Sequence, residues 1–274
     1  MKVKIFLIPT LAALTINFAD AAIDLDFSQF LPGSQPDQAI TGTSTVYDGQ
    51  NGLLFGDVAD VSSSGIAMVA ILEAITAYSA VNTSANGKLG DDIQVNQAAS
   101  SGSTSYRLSF YDSGTLDLFD NEGFDFEFDL VIYDIDGGPV GLETFTILTP
   151  ASYQLTDTTN VNFDGQSSFS NNGSGDIDAP IANATDLNED QEDISVILSF
   201  TNQSIVNFNF TTTGGGSGGR NFFLDGQDFV VFDDATATGI NSGSFVPEPS
   251  AYACLLGFTT LVSVVMRRNR LKAN

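Results

Sequence analysis

The sequence contains no histidine and no tryptophan, and its single cysteine is Cys254. Without histidine, Ser-His-Asp and Cys-His catalytic sites and histidine-ligated zinc or copper sites are excluded. One cysteine excludes an intrachain disulfide and a zinc-thiolate cluster. The chemistry left to the side chains is that of carboxylates, which bind hard cations or hydrolyse glycosides in pairs.

Basic residues are scarce as well, with nine lysines and arginines against 34 acidic residues and a net charge of -25. Six of the nine lie at the two ends of the chain: Lys2, Lys4, Arg267, Arg268, Arg270 and Lys272. Residues 22–246 contain three basic and 32 acidic residues, which gives a net charge of -29. Nucleic acid is not expected as a partner, because a polyphosphate is bound by clustered lysines and arginines.

The N-terminus has the order of a secretory signal peptide. Lys2 and Lys4 precede an apolar stretch over residues 5–18, and Ala19 and Ala21 form the small-residue cleavage site. We therefore expect residues 1–21 to be removed by cleavage after Ala21. The alternative is a buried first helix of the domain, which the small residues at the end of the stretch disfavour.

The C-terminus carries a proline motif, an uncharged apolar run and a basic cluster, formed by Pro247-Glu248-Pro249, residues 251–266, and Arg267, Arg268 and Arg270. The two prolines impose an extended, non-helical backbone on the motif. As a helix the apolar run would be about 24 Å long, shorter than the ~30 Å hydrocarbon core of a bilayer. The cations after it favour a cytoplasmic end. We predict a C-terminal transmembrane helix, with the body outside the cytoplasm.

These three elements resemble the PEP-CTERM sorting signal, over residues 246–274 only. In that family an exosortase in the inner membrane of Gram-negative bacteria recognises and cuts the tail. Such proteins are usually associated with exopolysaccharide and biofilm production. The resemblance implies an exosortase-type enzyme as a partner and transient anchoring in the inner membrane. It also implies a final location at the cell surface, outer envelope or extracellular matrix; a plain tail anchor is the alternative.

The sequence of residues 22–235 predicts an all-β body. Residues 124–130 alternate between apolar side chains and acids, the period-two pattern of a strand with one buried face. Turn-forming residues separate this segment from further short apolar runs, at 24–27, 106–111, 141–148, 194–200, 205–210, 222–224 and 229–232. Many short strands between such turns are typical of a β-sandwich or jelly roll.

Two segments of the body are less regular. Residues 66–78 mix helix-favouring Ala and Glu with strand-favouring Ile, Val, Thr and Tyr. Because their apolar residues lie on both faces, we favour a long buried strand. Residues 236–245 are small and polar, which predicts a flexible tether between the β-sandwich domain (22–235) and the sorting tail (246–274).

Calcium is the one cofactor that the sequence suggests. Asp134 and Asp136 lie in a short turn that ends in glycine, and Glu143 is a candidate third ligand. Carboxylate oxygens are the ligands that calcium prefers, although the spacing here does not match an EF-hand loop. The alternative is that these aspartates only form the turn and are solvated by water.

The expected function is that of a structural or adhesive protein in an exopolysaccharide or biofilm matrix, and not that of an enzyme. A lectin-like carbohydrate-binding module is the alternative. A glycoside hydrolase is a weaker one, because with 32 acids in the body a carboxylate pair can always be found.

Overall fold

The computed structural model describes residues 22–32, 34–41, 47–61, 66–115, 117–119, 126–135, 142–156, 159–171, 194–213, 218–226 and 240–245. Over these residues the chain forms fifteen β-strands and two single-turn 3-10 helices, Thr83–Ala85 and Ala99–Ser101. The strands build two sheets that pack face to face. The all-β class predicted from the sequence is therefore confirmed.

The larger sheet has eight strands. They are β1 (Ala22–Ile23), β4 (Gly87–Leu89), β5 (Asp92–Ala98), β7 (Glu127–Tyr133), β9 (Ala151–Thr156), β12 (Val196–Thr201), β14 (Gly219–Asp225) and β15 (Ile240–Phe245). Seven follow the order β15-β9-β12-β7-β14-β5-β4, and each neighbouring pair is antiparallel. The short β1 pairs in parallel with the beginning of β7.

The smaller sheet has seven strands, all antiparallel to their neighbours. They are β2 (Leu53–Val61), β3 (Ile66–Ala74), β6 (Ser103–Asp112), β8 (Leu142–Ile147), β10 (Val161–Phe163), β11 (Ser168–Asn171) and β13 (Ile205–Thr213). Their order is β10-β11-β8-β13-β6-β3-β2.

From β5 to β14 the chain changes sheet after every strand except within the β10–β11 hairpin. Strands that are distant in the sequence are consequently neighbours in space. β12 lies between β9 and β7, β14 lies between β7 and β5, and β13 lies between β8 and β6. The two sheets are therefore held together by long-range pairing and form one interleaved unit.

Aromatic side chains from both sheets fill the space between them. Phe222 of β14 lies at the centre of one group, with its ring centroid 4.8 to 5.8 Å from four rings of the opposite sheet, those of Tyr106, Phe145, Phe208 and Phe210. Three of these contacts are edge-to-face, the arrangement that the ring quadrupoles favour. Phenylalanine and tyrosine thus build the core of a chain that has no tryptophan.

The chain that precedes β2 covers part of the outer face of the seven-stranded sheet. Leu31 donates its backbone N–H to the carbonyl of Leu54 at 2.9 Å. Ile40 and Tyr47 are buried with Leu54 against the outward side chains of β3, Val69 and Ile71. The outer surface of β2 and β3 is therefore already occupied by the chain's own residues.

Most of the strands expected from the sequence are present. Each of β6, β7, β8, β12, β13 and β14 includes or overlaps a predicted segment, and the ambiguous segment 66–78 contains strand β3 from Ile66 to Ala74. The predicted strand 24–27 differs, because only Leu25 makes a bridge there. The side chain of Asp26 accepts the backbone N–H of Ser28, and this local turn competes with strand pairing. Segment 229–232 lies outside the described residues.

The structure also differs from the predicted tether over its last six residues. Residues 240–245 form β15, which pairs along its whole length with β9. Gly243 lies against the ring of Tyr153, where a Cβ would come within 2.9 Å of that ring. Phe245 is buried and contacts the rings of Phe163 and Phe169. Small polar residues therefore pair here because the ladder uses backbone groups and Phe245 anchors the strand in the core.

We expect Phe245→Ala to lower the free energy of unfolding by about 3 kcal/mol, because it removes a buried ring from contact with two others. Urea denaturation measures the change. Ser244→Ala, at the neighbouring exposed position, is the control and should change stability little. Equal stability of the two variants would show that β15 is not part of the folded domain.

Candidate functional site

Most of the functional residues predicted from the sequence lie outside the described part of the chain. They are the cleavage-site alanines, one calcium ligand, the proline motif and the basic cluster: Ala19, Ala21, Asp136, Pro247, Glu248, Pro249, Arg267, Arg268 and Arg270. The apolar run 251–266 lies outside it too. Among the described residues, no helix is long and apolar enough to cross a membrane. The signal peptide and the sorting tail stay predictions.

Two of the three predicted calcium ligands are described, and they belong to segments associated with different sheets. Asp134 follows the last residue of β7 and has a φ of 69°, a left-handed conformation that aspartate tolerates better than most residues. Glu143 lies on β8 and points into the sandwich, on the same side of that strand as Phe145. Within the described ranges, no three carboxylates, histidines or cysteines are grouped as metal ligands. A calcium site around Asp134 stays a prediction.

Glu143 instead takes part in an ion pair that joins the two sheets. Its Oε1 lies 3.5 Å from Nε of Arg220, which comes from β14 of the opposite sheet. The Glu143 side chain is 3% exposed and that of Arg220 is 22% exposed. This pair could not be predicted from the sequence, because the two residues are far apart in the chain and come together only through the interleaved topology.

The other arginine of the body is also paired. Arg107 of β6 forms an ion pair with Glu73 of β3, directly across the strand ladder. Only Lys88, exposed on the edge strand β4, remains as a basic side chain of residues 22–246 without an ion pair in the described structure. Neither arginine is thus available to attract an anion from solution.

The outer face of the eight-stranded sheet is acidic around an apolar centre. Asp92 and Asp225 lie on the adjacent strands β5 and β14 and are both buried, and Asp129 lies on β7. Val131, Tyr133, Ile197 and Phe223 form the apolar centre and are 0 to 4% exposed. We call Asp92, Asp129 and Asp225 the acidic face. Its buried centre does not present a surface to a ligand.

Burial and charge both act on the titrating groups of the acidic face. Burial raises the pKa of Tyr133, and the negative charges of Asp92 and Asp225 raise this pKa further. The phenol of Tyr133 therefore stays protonated and donates its hydrogen bond to Asp92. Burial also raises the pKa of Asp129, against the effect of a hydrogen bond from Ser199.

The outer face of the seven-stranded sheet has a different composition. Most of its outward side chains on β6, β8 and β13 carry hydroxyls or amides, with Arg107, Leu142 and Ile205 as exceptions. We call the following set the hydroxyl–amide face: Ser105, Thr144, Thr146, Asn207, Asn209 and Thr211. Among the described outward positions of β6, β8, β11 and β13 no side chain is acidic, and the one charge, Arg107, is paired with Glu73. The described outward surface over β6, β8, β11 and β13, taken together with Glu73, therefore carries no net charge.

The register of the strands aligns these side chains in rows. Asn209 stands between Ser105 on β6 and Thr146 on β8, and Thr211 stands beside Thr144. The hydroxyls of Thr146 and Ser168 lie 2.9 Å apart, and Thr211 donates to Ser103 at 2.9 Å. Polar groups therefore recur at about 4.8 Å across the strands on a paired backbone.

Comparison with known proteins adds no relative. No protein-family model, no curated protein and no solved structure matches this chain.

Sequence reasoning did not identify the hydroxyl–amide face. The signal was present in residues 205–213, where polar and apolar side chains alternate, but similar alternation occurs in 124–130 with acids in the polar positions. Which outward-facing positions share a surface depends on strand order, and the order β8-β13-β6 joins segments that are separated in the sequence.

We expect Arg220→Met to lower the free energy of unfolding by about 3 kcal/mol, because the buried Glu143 carboxylate loses its arginine. Adding Glu143→Leu should recover most of that loss, since two apolar side chains then replace the ion pair. Urea denaturation of the two variants and the parent measures both effects. A double variant as unstable as Arg220→Met would contradict this account of the pair.

Asp129→Asn is expected to stabilise the protein at pH 7. The pKa of Asp129 is higher in the folded state than in the unfolded chain, so ionising this carboxyl opposes folding. That opposition is complete at neutral pH and is lost as the pH falls below about 4, where the carboxyl is protonated in both states. Thermal unfolding at pH 7 and at about pH 3 measures the difference; a gain that persists in acid would point to packing instead.

Proposed function

We propose that this chain is an exported structural or adhesive protein of a bacterial cell surface or extracellular polysaccharide matrix, and that it is not an enzyme. An exosortase-type enzyme would cut its tail after transient anchoring in the inner membrane. The proposal rests on the resemblance of residues 246–274 to a sorting signal and on the signal-peptide pattern of residues 1–21.

The structural observation that supports this proposal most directly is the distribution of charge. Residues 22–246 carry a net charge of -29, and both arginines among them are engaged in ion pairs. The folded body therefore presents an almost purely anionic surface, apart from its hydroxyl–amide face. Such a surface is strongly solvated and keeps neighbouring copies apart, which suits a protein that is displayed at high density outside the cell.

The architecture of the body is compatible with a jelly roll. Its strands alternate between two antiparallel sheets, as they do in the double-sheet jelly rolls of lectin domains. Fold alone does not decide between a structural and a binding role. The alternative function, a carbohydrate-binding module, is favoured by one observation, the uncharged hydroxyl–amide face on the seven-stranded sheet.

Calcium would extend the proposed role. Divalent cations bound between the body's carboxylates and anionic sugars would bridge the protein to a matrix polymer. Asp134, at the end of β7, is the described residue of the predicted turn, with Asp136 two positions further along the sequence.

We expect intact mass spectrometry of the protein released by its native host to show a chain that lacks residues 1–21 and the residues after the Pro247-Glu248-Pro249 motif. The chain should be found in the extracellular or outer-envelope fraction. A chain that keeps residues 250–274 and is recovered only from the inner membrane would exclude the matrix role.

Bound calcium should raise the melting temperature of the folded protein relative to the same protein in chelator, because a ligand that binds only the native state stabilises it. Thermal unfolding with calcium chloride and with EDTA measures this shift. Asp134→Asn should reduce it if the predicted turn is the site. Identical melting temperatures in calcium and in EDTA would remove calcium from the proposal.

A further inference from the structure

The two outer faces of the sandwich differ in charge. The acidic face of the eight-stranded sheet carries Asp92, Asp129 and Asp225 around a buried apolar centre. The hydroxyl–amide face carries six uncharged polar side chains, and its one charged neighbour, Arg107, is neutralised by Glu73. With 32 acids distributed over residues 22–246, an outward surface over β6, β8 and β13 without an acid at any of its described positions is a clear local departure from the composition.

The side chains of this face can both donate and accept hydrogen bonds. Each threonine or serine hydroxyl supplies one donor and two acceptor positions, and each asparagine supplies two donors and a carbonyl. The hydroxyl groups of a sugar have the same dual capacity. Because the side chains are half-buried on a paired backbone, little conformational entropy is lost when they are engaged.

Charge decides which polymer suits this face. An anionic chain laid across it would remain within the field of the acids on the rest of the body, with only Lys88 as an exposed, unpaired cation. An uncharged chain meets no such repulsion and forms its hydrogen bonds with neutral partners. The charge distribution therefore favours a neutral polymer.

The other broad surfaces of the sandwich are less suitable. The centre of the acidic face is buried at Val131, Tyr133, Ile197 and Phe223. The outer surface of β2 and β3 is covered by Leu31, Ile40 and Tyr47. The part of the seven-stranded sheet over β8, β13 and β6 remains, and its outward residues are half-buried or exposed except for Ser109.

We propose that the hydroxyl–amide face is the contact surface for an extended, uncharged polysaccharide chain. This inference rests on the proposed role at the cell surface or in the matrix, and it names the surface and the class of polymer. The rows formed by Asn209 with Ser105 and Thr146, and by Thr211 with Thr144, contact the hydroxyls of successive sugar units. The acids elsewhere keep the rest of the molecule in water.

The test uses the full chain as secreted by its host and two probes, the neutral and the acidic fractions of that host's exopolysaccharide, separated by anion exchange. In EDTA we expect the protein to co-sediment with the neutral fraction and not with the acidic one. Asn207→Asp/Asn209→Asp adds two negative charges to the face and should weaken binding to the neutral fraction at least tenfold. The matched control, Gln94→Glu/Gln154→Glu, adds two charges at half-buried positions of the other sheet and should bind like the parent.

A second variant keeps the test decisive if Asn207→Asp/Asn209→Asp does not fold. Thr144→Val/Thr211→Val removes two hydroxyls but keeps the branched shape that suits a strand, and binding should fall about tenfold without a change in charge. Thermal unfolding of each variant confirms that it is folded.

Several outcomes would overturn the inference. They are unchanged binding by both face variants, binding to the acidic fraction alone in EDTA, and loss of binding only in the Gln94→Glu/Gln154→Glu control. Absence of binding together with a dimer that Asn207→Asp/Asn209→Asp dissociates would make the face a contact between copies. The proposed function is separable, since a processed chain found in the matrix by mass spectrometry supports it whether or not this face binds sugar.

Discussion

Packing of aromatic rings between the two sheets is the interaction on which the rest of the fold depends. Like-charge repulsion among 32 acids opposes any compact state of the body, and the chain has neither a disulfide nor tryptophan to offset it. Phenylalanine supplies the compensating burial, with Phe222 touching four rings of the opposite sheet and Phe245 touching two. Each such ring removes about 150–250 Å² from water. The acids can remain outside because the rings hold the sheets together from within.

The two arginines of the body serve the fold more than the surface. Arg220 neutralises Glu143 between the sheets, where an isolated carboxylate would carry a large desolvation penalty. Arg107 neutralises Glu73 beside the hydroxyl–amide face and so keeps that face free of net charge. Both arginines therefore compensate nearby carboxylates, and the remaining acids dominate the electrostatic field around the body.

The sequence was a good guide where one strand carries its own pattern. The alternation in residues 124–130 predicted β7, and the apolar residues on both faces of segment 66–78 favoured a buried strand, which β3 forms from Ile66 to Ala74. The sequence did not predict structure that depends on pairing with a strand distant in the chain. Residues 240–245 lack an apolar period and pair with β9 because an open edge and a pocket for Phe245 exist there. Strand order likewise brings Glu143, which was predicted as a calcium ligand, into an ion pair with Arg220. The hydroxyl–amide face could not be predicted either, because it depends on which strands are neighbours.

The interleaving of the strands has a consequence for the order in which the chain is made. When the ribosome has released only the segments up to β11, the eight-stranded sheet consists of unconnected pieces, because β12 and β14 occupy the positions on either side of β7. The seven-stranded sheet is likewise in two parts until β13 joins β8 to β6. Apolar rings on these pieces lack the strands β12 to β15 as partners until late in synthesis, a state that favours chaperone binding. For the proposed export, this order would be favourable, because a chain whose core closes this late stays unfolded enough to pass through a narrow channel while its last strands are missing.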